Sequence, residues 1–427
     1  MKFLIIRNDN IGDLACTTPL LQLLRDAYPQ ATIDVLGNSY NVDLLRYDPR
    51  VSRLWSYDKA KHFHNPWQKI KAWLSKTVLL GRLRIQHYDT VIIAVPLFNR
   101  RTTRLASLIK PKVIYGAPSE QYHVPKNYHP VSINHQDPHA LQVVTYARAL
   151  GIQAPAPESM TLYLSEEEKS TLLSERASIL GDLSQPIIDK HSVNSSLELS
   201  RTTLDPLFKG IREQNNLENK NTTALDRLSS TSEKVNYELR TANYELTVIG
   251  LHISARRPKQ QWSLKQWQQL ISELLRLLPS DKQLPSSISH LPSSTTAAVS
   301  SASIRLRLLW SPGSTENLQH PGDDLLASQL VASFPPGLLL AKPTTHLRSL
   351  MVAFSGCDLV VGPDGGAMHI AAGLNVPTLT LFGDIDPLIW RPYSKKGYEI
   401  VSPSGSLSDL SPEEVAKKIC SLLLKIS

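Results

Sequence analysis

The chain has few cysteines and lacks a long apolar run. Its 427 residues include three cysteines, Cys16, Cys357 and Cys420, which stand far apart. Their spacing indicates neither a disulfide framework nor a zinc site, so we expect a reducing, cytoplasmic location. Only four apolar residues, 3–6, precede Arg7, too few for a signal peptide. Since no stretch approaches the roughly 18 apolar residues of a membrane span, we expect a soluble or peripheral protein.

Several binding motifs are also missing. No GxGxxG follows the first apolar run, which disfavours a nicotinamide dehydrogenase. Neither an RNP-type aromatic motif nor a helix-turn-helix signal is present, so nucleic-acid binding lacks a supporting motif. The histidine pairs His62/His64 and His135/His139 lack further ligands nearby. We therefore predict no metal site.

Basic residues are concentrated in one part of the chain. The formal net charge is +8, and residues 53–112 alone carry thirteen Lys/Arg against two acids, Asp58 and Asp89. Such a local field attracts an anionic partner: a nucleic acid, an anionic membrane surface, or a phosphorylated or carboxylated substrate. Trp67 and Trp73 stand among these lysines at helical spacing, as in segments that bind an anionic membrane interface.

Apolar runs alternate with amphipathic stretches, which predicts parallel sheets with helices on both faces. Predicted strands cover residues 3–6, 31–36, 88–95, 112–116, 244–253, 304–310, 357–362 and 378–383. Predicted helices cover residues 19–28, 66–80, 102–109, 138–150, 263–278, 323–333, 346–354 and 413–424. The pattern predicts an α/β protein with two doubly wound domains, 1–165 and 244–427. Ligands of such sheets bind beyond the carboxyl ends of the strands, where the strand order switches.

The amino-acid composition changes between these halves. Residues 182–243 are rich in Ser, Thr, Asn, Glu and Lys and poor in aromatic residues. A stretch of this composition cannot bury enough apolar surface to offset the entropy of ordering, so it is predicted to be a polar insertion or linker. A second Ser-rich stretch, 279–303, interrupts the C-terminal half in the same way.

Residues 358–393, DLVVGPDGGAMHIAAGLNVPTLTLFGDIDPLIWRPY, are the most informative run. A buried strand leads into Asp364-Gly365-Gly366 and then a helix that carries His369 near its start. Paired glycines let the backbone approach a ligand, and a helix start favours an anion such as a diphosphate. A tight strand–helix turn with a half-buried His369 accounts for the same residues.

Two further loops follow predicted strands. In GLHISARRPKQQWSLKQW, the cations Arg256, Arg257 and Lys259 would face the carboxyl edge of the sheet and could neutralise phosphates. A solvated basic loop is the commoner outcome of such a run. Near the N-terminus, NIGDLACTTP carries Gly12 and Asp13, although a phosphate cradle should not contain an aspartate. One explanation is that Asp13 complements the dipole of a helix that begins there.

In order and spacing, these segments resemble the three signature regions of glycosyltransferase family 9, the bacterial lipopolysaccharide heptosyltransferases. They are IGDLACTTPLLQLLRDAYPQATIDVL, HISARRPKQQWSLKQW and GPDGGAMHIAAGLNVPTLTLFGDIDPLIWRPY. The resemblance implies the GT-B architecture, in which an acceptor-binding and a nucleotide-sugar-binding Rossmann-like domain face each other. It implies transfer of heptose from ADP-heptose to the inner core of lipopolysaccharide, with inversion of the anomeric centre. The resemblance further implies that no metal or cofactor is required, and a lipid-linked acceptor predicts a location at the cytoplasmic surface of the inner membrane.

The resemblance also implies roles for individual residues. Asp13 matches the family's general base, which takes the proton of the acceptor hydroxyl as that hydroxyl attacks the anomeric carbon. The residues expected to bind the donor are Lys259, Glu316, Asp364, Gly365, Gly366 and His369. The residues expected to bind the acceptor are Gly12, Arg100 and Arg101.

Two other functions fit the same features. A GT-B transferase could use another nucleotide sugar, such as a UDP-hexose, because a phosphate-binding turn does not select the sugar. A non-catalytic protein that binds sugar nucleotides or nucleic acid could use the same folds.

Overall fold

Two sheets of six parallel strands organise the molecule, so the predicted fold class is confirmed. The computed structural model describes residues 1–57, 66–181, 246–278, 303–314 and 322–426. The predicted insertion 182–243 and Glu316 lie outside these residues, as does nearly all of the Ser-rich stretch.

The N-terminal sheet has the strand order β3-β2-β1-β4-β5-β6. Its strands are β1 (Lys2–Ile6), β2 (Thr32–Leu36), β3 (Arg53–Trp55), β4 (Thr90–Ile93), β5 (Val113–Gly116) and β6 (Tyr128–Pro130). The helices of this half are α1 (Ile11–Ala15), α2 (Thr18–Ala27), α3 (Pro66–Ile85), α4 (Arg100–Ile109), α5 (His139–Ala149) and α6 (Glu166–Gly181). Ile5 pairs in register with Val35 on one side and with Ile92 on the other. The strand order therefore reverses between β1 and β4, as in a Rossmann sheet.

The C-terminal sheet repeats this order as β12-β11-β10-β7-β8-β9. Its strands are β7 (Leu246–His252), β8 (Ser303–Trp310), β9 (Leu339–Pro343), β10 (Leu359–Pro363), β11 (Thr378–Phe382) and β12 (Gly397–Val401). Its helices are α7 (Leu264–Leu277), α8 (Asp324–Ala332), α9 (Leu347–Ser355), α10 (Gly366–Gly373), α11 (Pro387–Trp390) and α12 (Pro412–Ile426). Val360 pairs with Gly250 of β7 and with Thr378 of β11, so the switch lies between β7 and β10.

The apolar pattern predicts all eight inner strands and misses the four edge strands β3, β6, β9 and β12. An inner parallel strand is covered on both faces and needs a continuous apolar run, and β10 and β11 are buried along their full length. The edge strands have a neighbour on one side only and are largely half-buried or exposed. Their sequences therefore carry a weaker apolar signal.

The segment after β1 forms two helices. Asn10 precedes α1, and its backbone N–H donates to Oδ2 of Asp13 over 3.1 Å. α2 then begins at Thr18, with Pro19 as its second residue and Thr17 in the capping position. The short α1 thus places Asp13 in a first helical turn, directly beyond the carboxyl end of β1.

Both sheets belong to one compact unit, made of Met1–Glu175 and Thr247–Ser427. α6 attaches to the C-terminal half: Glu168 pairs with Arg348 on α9, and Glu175 pairs with Arg307 on β8. Among the described helices, none combines the length and the apolar character needed to cross a bilayer.

Candidate active site

A cavity of about 720 Å³ lies where the carboxyl edges of the two sheets face each other. The loop after β1 lines it with residues 10–13, and the loop after β10 lines it with residues 363–367. The loop after β7 adds Ser254, Arg256 and Arg257. Both sheets therefore present their switch points to one shared cavity, which is where ligands bind in such folds.

Two glycines allow the halves of the molecule to touch beside this cavity. A Cβ added to Gly12 would lie 3.2 Å from Cα of Gly366 and 3.0 Å from Cδ2 of His369. A Cβ added to Gly366 would lie 3.1 Å from the backbone nitrogen of Gly12. Larger residues would separate α1 from α10, so these glycines set the distance between the two helix starts.

Asp13 is buried in a network of hydrogen bonds and ion pairs. Its Oδ1 lies 3.0 Å from Nη2 of Arg7 and 3.1 Å from Nε2 of His139. Its Oδ2 accepts from the backbone N–H and the side-chain amide of Asn10, at 3.1 and 2.9 Å. Arg7 is fully buried and also donates to Asp9 over 2.9 Å. The carboxylate is thus held in one orientation at the cavity wall.

These partners decide the charge of the network. Burial on its own would raise the pKa of Asp13, but the contact with His139 and the charge of Arg7 outweigh it and lower that pKa. Burial raises the pKa of Asp9 to about 6, with the charge of Arg7 opposing the rise. Burial also lowers the pKa of His139. At neutral pH, Asp13 is therefore ionised and His139 is neutral.

The turn after β10 carries a carboxyl group with a raised pKa and an open helix start. Asp364 accepts a hydrogen bond from Nε2 of Gln260 over 2.8 Å, and burial raises the pKa of Asp364 to about 6. No heavy atom lies within 4 Å of a Cβ built on Gly365, so this residue leaves open space beside the start of α10. The backbone N–H groups at that start favour an anion.

His369 lies deeper, at the contact between α1 and α10. It is 4 % exposed, and its Nδ1 lies 3.5 Å from Sγ of Cys16. Burial lowers the pKa of His369 to about 4, which keeps the ring neutral. His252, at the end of β7, is also buried and has its pKa lowered to about 4 by burial. Both rings line the cavity without carrying charge.

The structure brings together most of the predicted site residues. Gly12, Asp13, Asp364, Gly365, Gly366 and His369 all line the cavity. Lys259 does not: it is 68 % exposed and pairs with Asp384 over 3.3 Å. Arg100 and Arg101 are exposed at the start of α4, away from the lining, and Arg100 lies over the ring of Tyr122. Glu316 is outside the described residues.

Sequence reasoning missed two residues at the site, Gln260 and His139. Gln260, one position after Lys259, is the residue of that turn that lines the cavity. His139 begins α5 and contacts Asp13, and its ring stacks on Trp390 with centroids 4.4 Å apart. In the sequence, His139 stands out only as half of a histidine pair, whereas its position at the first helical turn after β6 marks it as a residue of the carboxyl edge. Within the described residues, no cluster of three or more His, Cys, Asp or Glu could hold a metal ion.

The fold and this site define a GT-B protein, with two Rossmann-like domains around one cleft. Solved structures of similar fold include a glycosyl transferase family 9 protein from Veillonella parvula (TM-score 0.64, 17 % identity, covering 99 % of this chain and 97 % of that one). They also include an E. coli heptosyltransferase solved with ADP (TM-score 0.63, 15 % identity, covering 99 % and 100 %).

Sequence comparison finds a similarity to one family. The model of glycosyltransferase family 9 (heptosyltransferase) matches residues 295–420, so the predicted resemblance is confirmed. Lipopolysaccharide heptosyltransferase 1 of Salmonella typhimurium is 28 % identical over 121 residues, which are 28 % of this chain and 35 % of that protein. Lipopolysaccharide heptosyltransferase 2 of E. coli is 31 % identical over 96 residues, or 19 % and 28 %. The matches thus span about a third or less of these relatives.

Proposed function

We propose that this protein is an inverting glycosyltransferase that transfers a heptose from ADP-heptose to the inner core of lipopolysaccharide. The observation that carries the proposal is that Asp13 and the turn at Gly365 and Gly366 line the same cavity. A proton acceptor therefore faces an anion-binding helix start across one substrate-sized space. Inverting transfer requires these two groups on opposite sides of the reacting carbon.

The C-terminal side suits a nucleotide diphosphate. Open space at Gly365 admits a phosphate to the first N–H groups of α10, and Arg256 and Arg257 add positive charge from the loop after β7. These groups can stabilise the charge that develops on the diphosphate as it leaves. Two related E. coli structures contain ADP and ADP-2-deoxy-2-fluoro heptose, which supports an ADP-heptose donor here.

The N-terminal side suits proton transfer. Asp13 is ionised at neutral pH and fixed by Arg7 and Asn10, so its carboxylate is available without reorganisation. In the reaction, the acceptor oxygen forms a bond to the anomeric carbon, the bond to the diphosphate breaks, and the hydroxyl proton passes to Asp13.

The test is a transfer assay with defined substrates. Purified protein is incubated with ADP-heptose or a UDP-hexose and with core-truncated lipopolysaccharide acceptors, and the products are weighed by mass spectrometry. We expect a mass gain of one heptose with the ADP donor only. Transfer from the UDP donor instead would assign another sugar, and binding of either donor without transfer would indicate a non-catalytic protein.

We further propose that α3 attaches the enzyme to the inner membrane, where its acceptor lies. The exposed apolar residues Trp67, Leu74, Val78 and Ile85 recur at spacings of seven, four and seven, so they share one helix face. Arg82 and Arg84 are exposed nearby and suit anionic lipid. In vesicle sedimentation, Leu74→Ser/Val78→Ser should reduce binding to anionic vesicles, whereas the same change at exposed Leu325, on α8, should not.

A further inference from the structure

The hydrogen bonds around Asp13 raise a question about its role as a base. A carboxylate offers about four lone-pair positions, and the partners around Asp13 are Arg7, His139 and two groups of Asn10. A proton arriving from the acceptor needs a lone pair that no donor occupies. The partner that leaves one free decides how Asp13 works.

Three of these partners are permanent donors. The guanidinium of Arg7 stays protonated in proteins, and neither the backbone N–H nor the side-chain amide of Asn10 exchanges its proton for a lone pair. His139 differs, because a neutral imidazole has one nitrogen that accepts. Nη2 of Arg7 lies 2.6 Å from Nε2 of His139, and because the guanidinium can only donate, Nε2 carries the lone pair. The same Nε2 is 3.1 Å from Oδ1 of Asp13.

We propose that His139 is a positioning residue that acts through Asp13 as the second proton acceptor of the reaction. The inference rests on the proposed function. The acceptor hydroxyl gives its proton to Asp13 as its oxygen bonds to the anomeric carbon and the diphosphate departs with the electron pair. That proton then passes from Oδ1 of Asp13 to Nε2 of His139, which restores the carboxylate and leaves an imidazolium. The imidazolium releases the proton to solvent before the next turnover.

The surroundings of His139 fit this role. Trp390, from the C-terminal half, stacks on the ring with an interplanar angle of 20°, and an aromatic face of this kind attracts a cation. The charged and titratable groups that face the ring are Asp13, Arg7 with its partner Asp9, and His369. Asp13 favours the protonated ring, whereas Arg7 and burial oppose it. Proton uptake by His139 is therefore transient, as a relay requires.

The test compares His139→Gln with His135→Gln, because His135 is exposed and lies four residues earlier. In the transfer assay we expect kcat of His139→Gln to fall about 10²-fold, with KM and donor affinity unchanged. The acid limb of the wild-type pH–kcat profile should disappear in that variant. His135→Gln should match the wild type in both respects.

Two outcomes would overturn the inference without touching the proposed function: wild-type kcat in His139→Gln, or a reduced kcat with the acid limb intact. If the wild-type protein transfers no sugar, the proposed function fails and this inference fails with it. If His139→Gln does not fold, NMR titration of the His139 ring in the wild-type protein replaces it. That ring should titrate with the pKa of the acid limb, and titration at another pKa would refute the relay.

Discussion

The two sheets share one strand order, yet the loops at their switch points differ in chemistry. Beyond β1, the chain gathers charged side chains, with Arg7 fully buried against Asp9 and Asp13. Beyond β10, it places two glycines, and the one carboxyl group there, on Asp364, has a raised pKa because desolvation outweighs its hydrogen bond from Gln260 and the charge of Arg257. Topology thus determines where a ligand can lie. Loop composition determines whether that place carries ionised side chains or open backbone, which suits the proton and phosphate roles that we propose for them.

The largest expected effect tests the proton side of this comparison. Asp13→Asn keeps the shape of the side chain and removes the proton acceptor, so kcat in the transfer assay should fall about 10²–10⁴-fold. Donor binding, measured by calorimetry, should persist, because the donor side belongs to the other sheet. Asp26→Asn, an exposed change on α2, is the control. Near-normal turnover of Asp13→Asn would remove Asp13 as the base.

Removal of Arg7 should be the most damaging change for stability. Arg7→Met leaves Asp13 buried and Asp9 half-buried without the charge of Arg7, and breaking such a pair costs about 3–5 kcal/mol of unfolding free energy. The control is Arg46→Met, which removes an ion pair of a 55 % exposed side chain and should cost at most about 1 kcal/mol. Urea unfolding measures both, and equal losses would show that the N-terminal network adds no special stability.

Asp364 should give the phosphate side the opposite pH dependence from Asp13. Its pKa is about 6 in the folded chain against an ordinary 3.8, so the folded state holds the proton longer as pH rises. The contribution of Asp364 to the free energy of unfolding is therefore complete when the pH is below the ordinary aspartate pKa. It is lost between about pH 4 and 6, by at most about 3 kcal/mol. Asp364→Asn keeps an acceptor for Gln260 and should remove this decline from urea unfolding. An unchanged pH profile in that variant would contradict the burial of the carboxyl group.

The pKa of Asp13 is lowered instead. Its contribution to the free energy of unfolding is therefore present when the pH is above the ordinary aspartate pKa and is lost at lower pH.

The smallest expected effects are the stability changes on replacing Gly365 or Gly366 with alanine, and they differ between the two glycines. Gly366→Ala places a methyl group 3.1 Å from the backbone of Gly12 and should destabilise the protein by about 1–2 kcal/mol. Gly365→Ala meets no atom within 4 Å, so its stability should stay within about 0.5 kcal/mol of the wild type. It should nevertheless weaken ADP-heptose binding in calorimetry, because the methyl group fills the space offered to the phosphate. Unchanged affinity in Gly365→Ala would place the phosphate elsewhere.

Local sequence predicted the inner strands and the loops that follow them, because a strand buried on both faces needs a continuous apolar run. It also identified Asp13 and the turn at Gly365 and Gly366 as separate features. The family resemblance pointed to Lys259 and not to Gln260, since their order along a short turn does not reveal which side chain points inward. The structure places Gln260 at the cavity and Lys259 at the surface.

The sequence by itself determined the α/β class, the two nucleotide-type sheets and the family that the chain resembles. Only the tertiary structure decided which residues surround Asp13, because those contacts join distant parts of the chain. Arg7 and His139 are 132 residues apart, and Cys16 and His369 are 353 residues apart. Hydrophobic periodicity records the contacts of a residue with its own element, whereas these contacts arise when separate elements meet at the carboxyl edges of two sheets.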